Sequence, residues 1–353
     1  MSTVTIILIF STHTRVNHVG GVFTVDRFKF LVTEKIDEAG LKILEGAGEV
    51  VFASGTSEET LIRESRDVDA IIIRALGRIT VGVLSNALNL RVVGRHGVGV
   101  DNVDVEAATK RGVIVVYTPD VNSEAVADHT FGLIIASARR IAQADHALRT
   151  RAEWKFRYEC IGTNVYGKTL GIIGLGRIGR RVAKRAYGFK MRILAYDPYV
   201  TASPAEDLNV EIVDLKTLLS LSDFVTIHVP LTKETHGLLG EEELSLMKKE
   251  AFLINAARGG VIDESALVKA LALGRLAGAA LDVFSKEPPD PENPLFKMDN
   301  VVVTPHMAAH TKETLRDMAV MVATDVVKVL MGEIPKNIVN PEVLEVLKQK
   351  LKR

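Results

Sequence analysis

The feature of this chain that most constrains its fold is the stretch TLGIIGLGRIG at residues 169–179. An apolar run that favours a β-strand enters a turn with three glycines, Gly174, Gly176 and Gly179, and a helix-forming run follows directly. A strand that turns so tightly into a helix is typical of a β–α–β unit, and such units build parallel sheets covered by helices. The chain is therefore expected to contain an α/β domain around this turn.

The spacing of the three glycines also indicates a ligand. Gly174 permits the tight turn, Gly176 lets a pyrophosphate approach the backbone, and Gly179 lets the helix pack closely on the strand. The helix that opens with Arg177 and Ile178 offers free N–H groups and the positive end of its dipole to the phosphates. These five residues predict a dinucleotide site; the alternative is a plain strand–turn–helix connection.

The next strand-like run, MRILAYD, ends at Asp197. This position lies about 20 residues after the glycines, where dinucleotide-binding domains place an acidic residue. A carboxylate there accepts hydrogen bonds from the ribose hydroxyls and repels a 2′-phosphate. The sequence therefore predicts NAD, rather than NADP, as the cofactor.

Strand-like and helix-like runs alternate along two parts of the chain. The strand-like runs are FKFLVT, VVFA, AIIIR, LRVVGR and VIVVY in the first part, and TLGIIG, MRILAYD, DFVTIHV, AFLINAA, LAGAALDVF and NVVVTPH in the second. Between the two parts, helical spacing of apolar residues predicts one helix of about seven turns over residues 123–148. A last helix is predicted over residues 311–332, and it is expected to return to the first part. This alternation predicts two α/β domains, each with a doubly wound parallel sheet.

Composition narrows the classes of function. A chain of 353 residues accommodates about two domains. Its 44 Lys and Arg residues equal its 44 Asp and Glu residues, so no overall positive field would draw it to nucleic acid or to anionic lipid. Cys160 is the only cysteine, which excludes an intramolecular disulfide and a cysteine cluster for zinc. Because no apolar run reaches about 18 residues, no membrane span is expected, and the chain is expected in the cytoplasm.

Four polar residues follow strand-like runs of the second part. Arg258 comes after LINAA, Asp282 after AGAAL, Glu287 soon after that, and His306 after NVVVTP. Parallel sheets place ligands at the carboxyl ends of their strands, so these side chains are expected at one edge. Histidine exchanges a proton near neutral pH, a carboxylate orients it, and guanidinium binds a carboxylate through paired donors. Each residue alone has an ordinary surface or capping explanation, but together, behind a dinucleotide turn, they predict hydride exchange at a carbon that bears oxygen.

Several longer motifs resemble the D-isomer-specific 2-hydroxyacid dehydrogenase family, most closely its phosphoglycerate dehydrogenase branch. The resemblance covers about residues 28–345 and rests on GRHGVGVDNVDVEAATKRG, TPDVNSEAVADHT, GKTLGIIGLGRIG, HVPLTKETHGLL, NAARGGVIDESAL, ALDVFSKEP and TPH. It implies an NAD-dependent enzyme that exchanges hydride with a small 2-hydroxy or 2-oxo acid, which in that branch is D-3-phosphoglycerate. It also implies a homodimer, and the 123–148 helix is expected to lie in its interface.

The resemblance implies a role for each candidate residue. Arg258 binds and polarises the 2-oxo acid, His306 donates and accepts the proton, and Glu287 is the partner of that histidine. Asp282 holds the carboxamide of the nicotinamide. Further residues of the matching motifs belong to the cofactor site, and these are His228, Pro230 and Ala256.

On the substrate side, the resemblance points to two segments. Val98, Gly99 and Asn102 match a loop that meets the substrate carboxylate, largely through its backbone. Arg74 ends a strand-like run and Arg78 lies in the loop after it, where basic residues suit a substrate phosphate. The alternative is that Arg78 is solvated and that Arg74 serves the carboxylate.

The family fold implies a Rossmann NAD-binding domain inserted in a flavodoxin-like substrate domain. The expected segments are an N-terminal extension of unknown role (1–27), the first part of the substrate domain (28–125), the NAD-binding domain (126–305), the return to the substrate domain (306–345) and a tail (346–353). Because the chain ends soon after VNPEVL, the serine-binding regulatory domain of long phosphoglycerate dehydrogenases is not expected.

A few positions depart from the family pattern and leave the substrate open. Ala308 and His310 stand where glycine is frequent after the catalytic histidine, Tyr117 replaces a frequent asparagine, and His96 replaces a small residue. His310 is either a substrate contact or a helix-start residue.

Two alternative functions remain open. Within the class of 2-hydroxyacid dehydrogenases, the alternative is reduction of glyoxylate or hydroxypyruvate. From another class, the alternative is a dinucleotide-sensing corepressor, for which the sequence marks no docking groove; signatures of adenosylhomocysteine hydrolysis are not apparent.

Overall fold

A computed structural model of the chain describes residues 16–19, 22–25, 27–200 and 209–351. The chain divides into two compact units. We call Met1–Asn122 with Thr311–Arg353 the split unit, and Ser123–His310 the central unit.

Strands and helices alternate along most of the described chain. In chain order the β-strands are β1 (Val16–Val19), β2 (Val22–Val25), β3 (Phe28–Val32), β4 (Gly48–Phe52), β5 (Ala70–Ile73), β6 (Val92–Arg95), β7 (Ile114–Val116), β8 (Thr169–Ile173), β9 (Arg192–Tyr196), β10 (Glu211–Ile212), β11 (Phe224–Ile227), β12 (Phe252–Asn255), β13 (Gly278–Leu281) and β14 (Val301–Val303). The α-helices are α1 (Glu38–Ala47), α2 (Glu58–Glu64), α3 (Val81–Asn86), α4 (Val105–Arg111), α5 (Ser123–Arg139), α6 (Ile141–Arg151), α7 (Arg177–Ala186), α8 (Leu215–Leu221), α9 (Glu241–Leu246), α10 (Glu264–Ala272), α11 (Lys312–Leu330) and α12 (Val343–Leu351).

The strands β1 and β2 form a separate antiparallel pair, with Val16 opposite Val25. They lie within residues 1–27, for which the sequence predicts no domain. Residues 1–15, 20–21 and 26 of that extension lie outside the described residues.

The sheet of the split unit has five parallel strands in the order β4-β3-β5-β6-β7. This is the flavodoxin-like doubly wound order, which confirms the predicted fold class. Apolar side chains of one sheet face share a core with α11, among them Phe30, Val32, Ile72, Val92, Ala319, Val322 and Val326. The opposite face packs on α2 and α3 through Leu31, Ile71, Ile73, Leu61, Val83 and Leu84.

Gly94 in β6 shows how closely α11 approaches this sheet. A Cβ atom at Gly94 would lie 2.6 Å from Val326 Cγ2 and 2.8 Å from Val322 Cγ2. Real side chains do not approach so closely, so glycine is required for the helix to seat at this distance.

The sheet of the central unit has seven parallel strands in the order β10-β9-β8-β11-β12-β13-β14. The order reverses at β8, which pairs with β9 on one side and β11 on the other. This Rossmann arrangement confirms the prediction, and in such sheets the ligand crevice lies beyond the carboxyl ends of the strands at the reversal. One face packs on α5 and α7 through residues that include Val126, Phe131, Ile134 and Val182. The other face packs on α8, α9 and α10 through residues that include Leu218, Leu244 and Leu267.

The single helix predicted over residues 123–148 is wrong, because the chain breaks it into α5 and α6. Arg140, between the two, has the left-handed backbone conformation, with φ 51° and ψ 39°. The carbonyl of Ala138 accepts a hydrogen bond from Thr163 N–H at 2.8 Å, and Arg140 Nη1 donates to the Glu159 carbonyl at 3.3 Å. The segment that contains Glu159 and Thr163 therefore bonds to the Ala138 carbonyl, which would accept a helical N–H if the helix continued. The spacing of apolar residues does not reveal this contact.

The ends of the units also differ from the expected segments. Residues 306–310 belong to the central unit, although the sequence placed them in the substrate domain. The physical reason is that His306 N–H bonds to the Asp282 carbonyl at 2.8 Å, which attaches the segment to β13. Residues expected as a tail form most of α12, in which Leu347 is buried in the core of the split unit.

Among the described residues, no helix has the length and apolar character needed to cross a membrane. The same part of the chain contains no group of three or more His, Cys, Asp or Glu side chains suited to a metal ion.

Candidate active site

The glycine turn lies between β8 and α7, at the reversal of the strand order. Gly174 has a φ of 94°, a conformation that favours glycine, and a Cβ at Gly179 would lie 2.1 Å from the Gly174 carbonyl oxygen. By contrast, a Cβ at Gly176 would meet no atom of the described residues within 4 Å. A side chain therefore has no room at Gly174 or Gly179, where the backbone packs on itself. There is space beside Gly176, where a pyrophosphate would approach. The N-cap of α7 is Gly176, which has no side chain to accept from the first N–H groups of the helix, so the N-terminus at Arg177 and Ile178 fits an anion.

Asp197 lies directly after β9 and reaches back to this turn. Its Oδ2 accepts a hydrogen bond from Leu175 N–H at 2.9 Å, and its Oδ1 accepts one from Tyr199 N–H at 2.9 Å. A carboxylate has about four lone-pair positions, so each oxygen keeps one for a ribose hydroxyl. The residue therefore fits the role expected of it while also holding the turn in place.

His228, Pro230 and Ala256 follow β11 and β12, the strands next to β8 on one side. Burial lowers the pKa of His228 to about 3, so its imidazole is neutral. Its Nε2 lies 3.0 Å from Thr226 Oγ1, while its buried Nδ1 has no hydrogen-bond partner among the described residues. These three residues lie at the sheet edge that also carries the glycine turn.

His306 and Glu287 form a close pair in the central unit. His306 Nδ1 lies 2.6 Å from Glu287 Oε2, and Glu287 Oε1 accepts a hydrogen bond from Phe284 N–H at 3.0 Å. Burial raises the pKa of Glu287, but the His306 contact, the Phe284 N–H and the charge of Arg258 together hold it below its usual value. The carboxylate is therefore ionised and oriented, which leaves the other ring nitrogen of His306 for proton exchange.

The backbone of His306 depends on Asp282, which is fully buried after β13. His306 has a φ of 50°, and its N–H donates to the carbonyl of Asp282 at 2.8 Å. The Asp282 carboxylate accepts from Thr304 Oγ1 at 2.5 Å, Met307 N–H at 2.9 Å and Ala308 N–H at 2.9 Å. Burial raises the pKa of Asp282, but these donors and His129 outweigh it and lower the pKa, so the residue is an anion. Thr304, Met307 and Ala308 thus tie the buried carboxylate to the His306 segment, and the carboxamide contact that the resemblance implies stays a prediction.

Arg258 is held by a residue that the sequence did not single out, Asn255. The buried Asn255 side chain accepts from Ala257 N–H at 3.0 Å and donates to the Arg258 carbonyl at 2.9 Å. The Asn255 carbonyl also accepts from Asp282 N–H at 2.9 Å. Arg258 Nη1 donates to the Ala257 carbonyl at 2.7 Å. Asn255 thus fixes the segment that carries Arg258. The sequence feature that could have identified Asn255 is its place as a polar residue at the end of an apolar strand run.

The expected substrate residues of the split unit lie beyond the carboxyl ends of β5 and β6. Arg74 Nη1 donates to the Lys35 carbonyl at 3.0 Å, and Arg78 Nη2 donates to the Asp101 carbonyl at 3.2 Å. Each guanidinium has five N–H donors, so these contacts leave donors for an anion. Asn102 Nδ2 donates to the carbonyls of Arg74 at 3.0 Å and Gly77 at 3.3 Å. The Asn102 side chain therefore positions the arginine loop.

Val98 and Gly99 follow His96 in the loop after β6. Val98 is exposed and Gly99 is partly exposed, so the backbone of this loop is accessible. His96, one of the departures from the family pattern, is buried, with Nε2 3.3 Å from the Leu315 carbonyl. Burial, followed by the charge of Arg74, lowers the pKa of His96 to about 4. His96 is thus a neutral core residue that ties the loop to α11.

Comparison with known proteins identifies a family for this chain. Residues 131–308 match the family described as D-isomer specific 2-hydroxyacid dehydrogenase, NAD binding domain. The D-3-phosphoglycerate dehydrogenase of Methanocaldococcus jannaschii is 49% identical over 313 residues, which cover 88% of this chain and 59% of that protein. The glyoxylate reductase of Korarchaeum cryptofilum is 45% identical over 324 residues, which cover 90% of this chain and 97% of that protein.

A solved structure has a similar fold. The crystal structure of the TT0316 protein from Thermus thermophilus superposes with a TM-score of 0.83 at 37% identity, covering 88% of this chain and 100% of that one. The chain spans about three-fifths of the phosphoglycerate dehydrogenase, at 59%, but nearly all of the glyoxylate reductase, at 97%. With its matching domain, its relatives and its strand order in agreement, the chain belongs to the D-isomer specific 2-hydroxyacid dehydrogenase family.

Proposed function

We propose that this chain is an NAD-dependent dehydrogenase that oxidises D-3-phosphoglycerate to 3-phosphohydroxypyruvate. The observation that carries the reaction class is the contact of His306 with Glu287 beside the charge of Arg258, in the unit that also holds the dinucleotide turn. A proton-transfer group, an ionised partner and a carboxylate-binding cation are the parts that hydride exchange at a hydroxy acid needs.

The mechanism follows from these side chains. Bound NAD supplies the acceptor for the hydride. His306 removes the hydroxyl proton through the ring nitrogen that does not face Glu287, and Glu287 stabilises the imidazolium that results. In the reverse direction the protonated ring returns that proton to the carbonyl oxygen. Arg258 binds the acid and polarises its oxygen through the planar donors of its guanidinium.

The choice of substrate rests on Arg74 and Arg78, whose guanidinium groups suit a phosphate. Glyoxylate or hydroxypyruvate reduction is the second candidate, and the relative matched over 97% of its length, a glyoxylate reductase, favours it. Steady-state rates with 3-phosphohydroxypyruvate, hydroxypyruvate, glyoxylate and pyruvate test the proposal. The highest kcat/KM is expected for the phosphorylated acid, and a higher value for glyoxylate would assign the reductase function.

Arg78→Ala is expected to raise KM for 3-phosphohydroxypyruvate about tenfold or more, since charge-assisted hydrogen bonds contribute about 1.5–3 kcal/mol. Glyoxylate has no phosphate, so its KM is expected to stay unchanged. Arg63→Ala, which removes another exposed arginine of the split unit, is the matched control. Equal losses with both substrates would mean that Arg78 does not bind phosphate.

Asp197 is expected to give NADH a higher kcat/KM than NADPH, because its carboxylate accepts ribose hydrogen bonds and repels a 2′-phosphate. Asp197→Ala is expected to weaken NAD binding by about 1–3 kcal/mol. The measurements are kcat/KM with each cofactor and fluorescence titration of NADH. Equal efficiencies of the two cofactors in the wild-type enzyme would contradict this prediction.

We also propose a homodimer, but with an interface different from the one expected from the sequence. The apolar stripe of α5 is buried within the central unit, so it is not available to a partner. Exposed apolar side chains lie instead in α6 and the segment after it: Ile141, Leu148, Trp154, Tyr158 and Ile161. Because so much apolar surface is rarely left in water, we expect a second copy to cover it. Light scattering at micromolar concentration is expected to give twice the mass of 38.5 kDa, and a monomer would overturn the proposal.

A location in the cytoplasm and a place in serine biosynthesis accompany this assignment as proposals. The single cysteine and the balanced charge support the compartment. The pathway depends on the proposed phosphorylated substrate.

A further inference from the structure

Behind the His306 segment lies a histidine of α5 to which neither the sequence nor the proposed mechanism gives a role. His129 Nε2 lies 3.1 Å from Thr304 Oγ1 and 3.5 Å from Asp282 Oδ1, and its side chain is 21% exposed. Both partners belong to the central unit, as His129 does. The three side chains form a chain of contacts from helix to strand end to buried carboxylate.

The donors in this chain of contacts can be assigned. The Thr304 hydroxyl carries one proton, and it donates that proton to Asp282 Oδ1 at 2.5 Å, since an ionised carboxylate only accepts. The remaining contact of the hydroxyl, with His129 at 3.1 Å, therefore needs a proton on the histidine. His129 is thus the Nε2–H donor, and it fixes the direction in which the Thr304 hydroxyl points.

The Asp282 carboxylate in turn determines the backbone of His306. Met307 and Ala308, the residues directly after His306, both donate their N–H groups to it. His306 itself has a φ of 50°, a conformation that non-glycine residues adopt rarely and only where their surroundings hold it. A carboxylate that turns would release these N–H groups and let the His306 ring move away from Glu287.

We propose that His129 is a positioning residue for His306, acting through Thr304 and Asp282. It anchors the carboxylate to α5, a helix of 17 residues whose other face is buried in the core. This inference rests on the proposed role of His306 in proton transfer. It assigns His129 no contact with substrate or cofactor.

Three variants of the full-length protein separate positioning from packing. His129→Leu keeps the bulk and removes the donor, His129→Gln keeps a side-chain N–H at similar reach, and Thr304→Val breaks the same link at its next member. We expect kcat for reduction of the preferred oxo acid to fall about five- to tenfold in His129→Leu and in Thr304→Val, the effect of one lost hydrogen bond. His129→Gln is expected to restore most of the rate, and KM is expected to change less than about twofold in each.

A double mutant tests whether the two residues act in one chain. If His129 works through Thr304, the His129→Leu/Thr304→Val enzyme is expected to lose no more than the larger of the single losses. Multiplied losses would overturn the proposal. Equal losses in His129→Leu and His129→Gln would also overturn it, because packing alone would then account for the effect.

A spectroscopic measurement is independent of turnover. Long-range ¹H–¹⁵N spectra of histidine-labelled protein at alkaline pH report which ring nitrogen of His306 carries the proton. We expect the Nδ1–H tautomer, which donates to Glu287, in the wild type and in His129→Gln, and a shift to Nε2–H in His129→Leu. An unchanged tautomer in His129→Leu rejects the positioning role. If instead His306→Ala proved active, the proposed function would fail while this measurement would still decide the role of His129.

Discussion

Replacing His306 with alanine is expected to lower kcat by about 10²–10⁴, the usual contribution of a positioned acid–base group. The variant has no group that gives a proton to the carbonyl oxygen as hydride arrives. Glu287 is not expected to substitute for it, because its Oε1 keeps the hydrogen bond from Phe284 N–H and the charge of Arg258 still lowers the pKa of its carboxyl group. Single-turnover reduction of the oxo acid by bound NADH measures the loss directly.

Binding of NADH to this variant is expected to stay nearly unchanged in a fluorescence titration, because the glycine turn and Asp197 are untouched. His146→Ala, which removes an exposed histidine of α6 in the same unit, is the control and is expected to keep the wild-type rate. Turnover of His306→Ala close to that of the wild type would remove His306 from the mechanism.

Arg258→Lys is expected to lower kcat/KM for the oxo acid by about 10²–10³, the range found when one donor to a developing oxyanion is lost. Lysine keeps the positive charge that lowers the pKa of Glu287, so the His306–Glu287 pair is expected to stay intact. The loss then reports the geometry of the guanidinium, which presents paired planar donors that an ammonium group lacks. Because Asn255 holds the backbone of residue 258 from both sides, the shorter reach of lysine cannot be corrected by a shift of the chain.

Steady-state kinetics that separate kcat from KM check this second prediction. Arg275→Lys, an exposed arginine near Glu241 in the same unit, is the matched control. A loss of less than about threefold in Arg258→Lys would show that charge alone suffices at this position and that paired hydrogen bonds are not made.

Much of the fold could be predicted because its constraints are local. The strand-like runs of the sequence coincide with β3–β9 and β11–β14, since buried parallel strands are continuous apolar runs between turns. Gly179 is another local constraint: a Cβ atom there would lie 2.1 Å from the Gly174 carbonyl oxygen, so only glycine fits. β10 was missed because two residues, Glu211–Ile212, are too short to show a pattern. The break at Arg140 was missed because its cause lies in a segment that is distant along the chain.

In the candidate site, sequence patterns predicted the positions of side chains but not their hydrogen-bond partners. Strand ends placed Arg258, Asp282 and His306 at one edge, as the parallel topology requires. Periodicity does not reveal the partners of a side chain, so it could not show that Asp282 binds the N–H groups of Met307 and Ala308. The left-handed backbone at His306 could not be predicted, because that position holds neither glycine nor asparagine, the residues that usually indicate this conformation. These features depend on contacts between segments that only folding brings together.

The split unit is assembled from both ends of the chain, so its core is incomplete until α11 has been synthesised. One face of the β3–β7 sheet is covered by Ala319, Val322 and Val326, which leave the ribosome after the whole central unit. The central unit is continuous, with all its strands between Ser123 and His310. Contacts between distant residues close long loops and form late. During translation, the central unit therefore has its full core before the split unit does, although synthesis of the split unit begins first. This reverses the N-terminal-first order common in multidomain proteins.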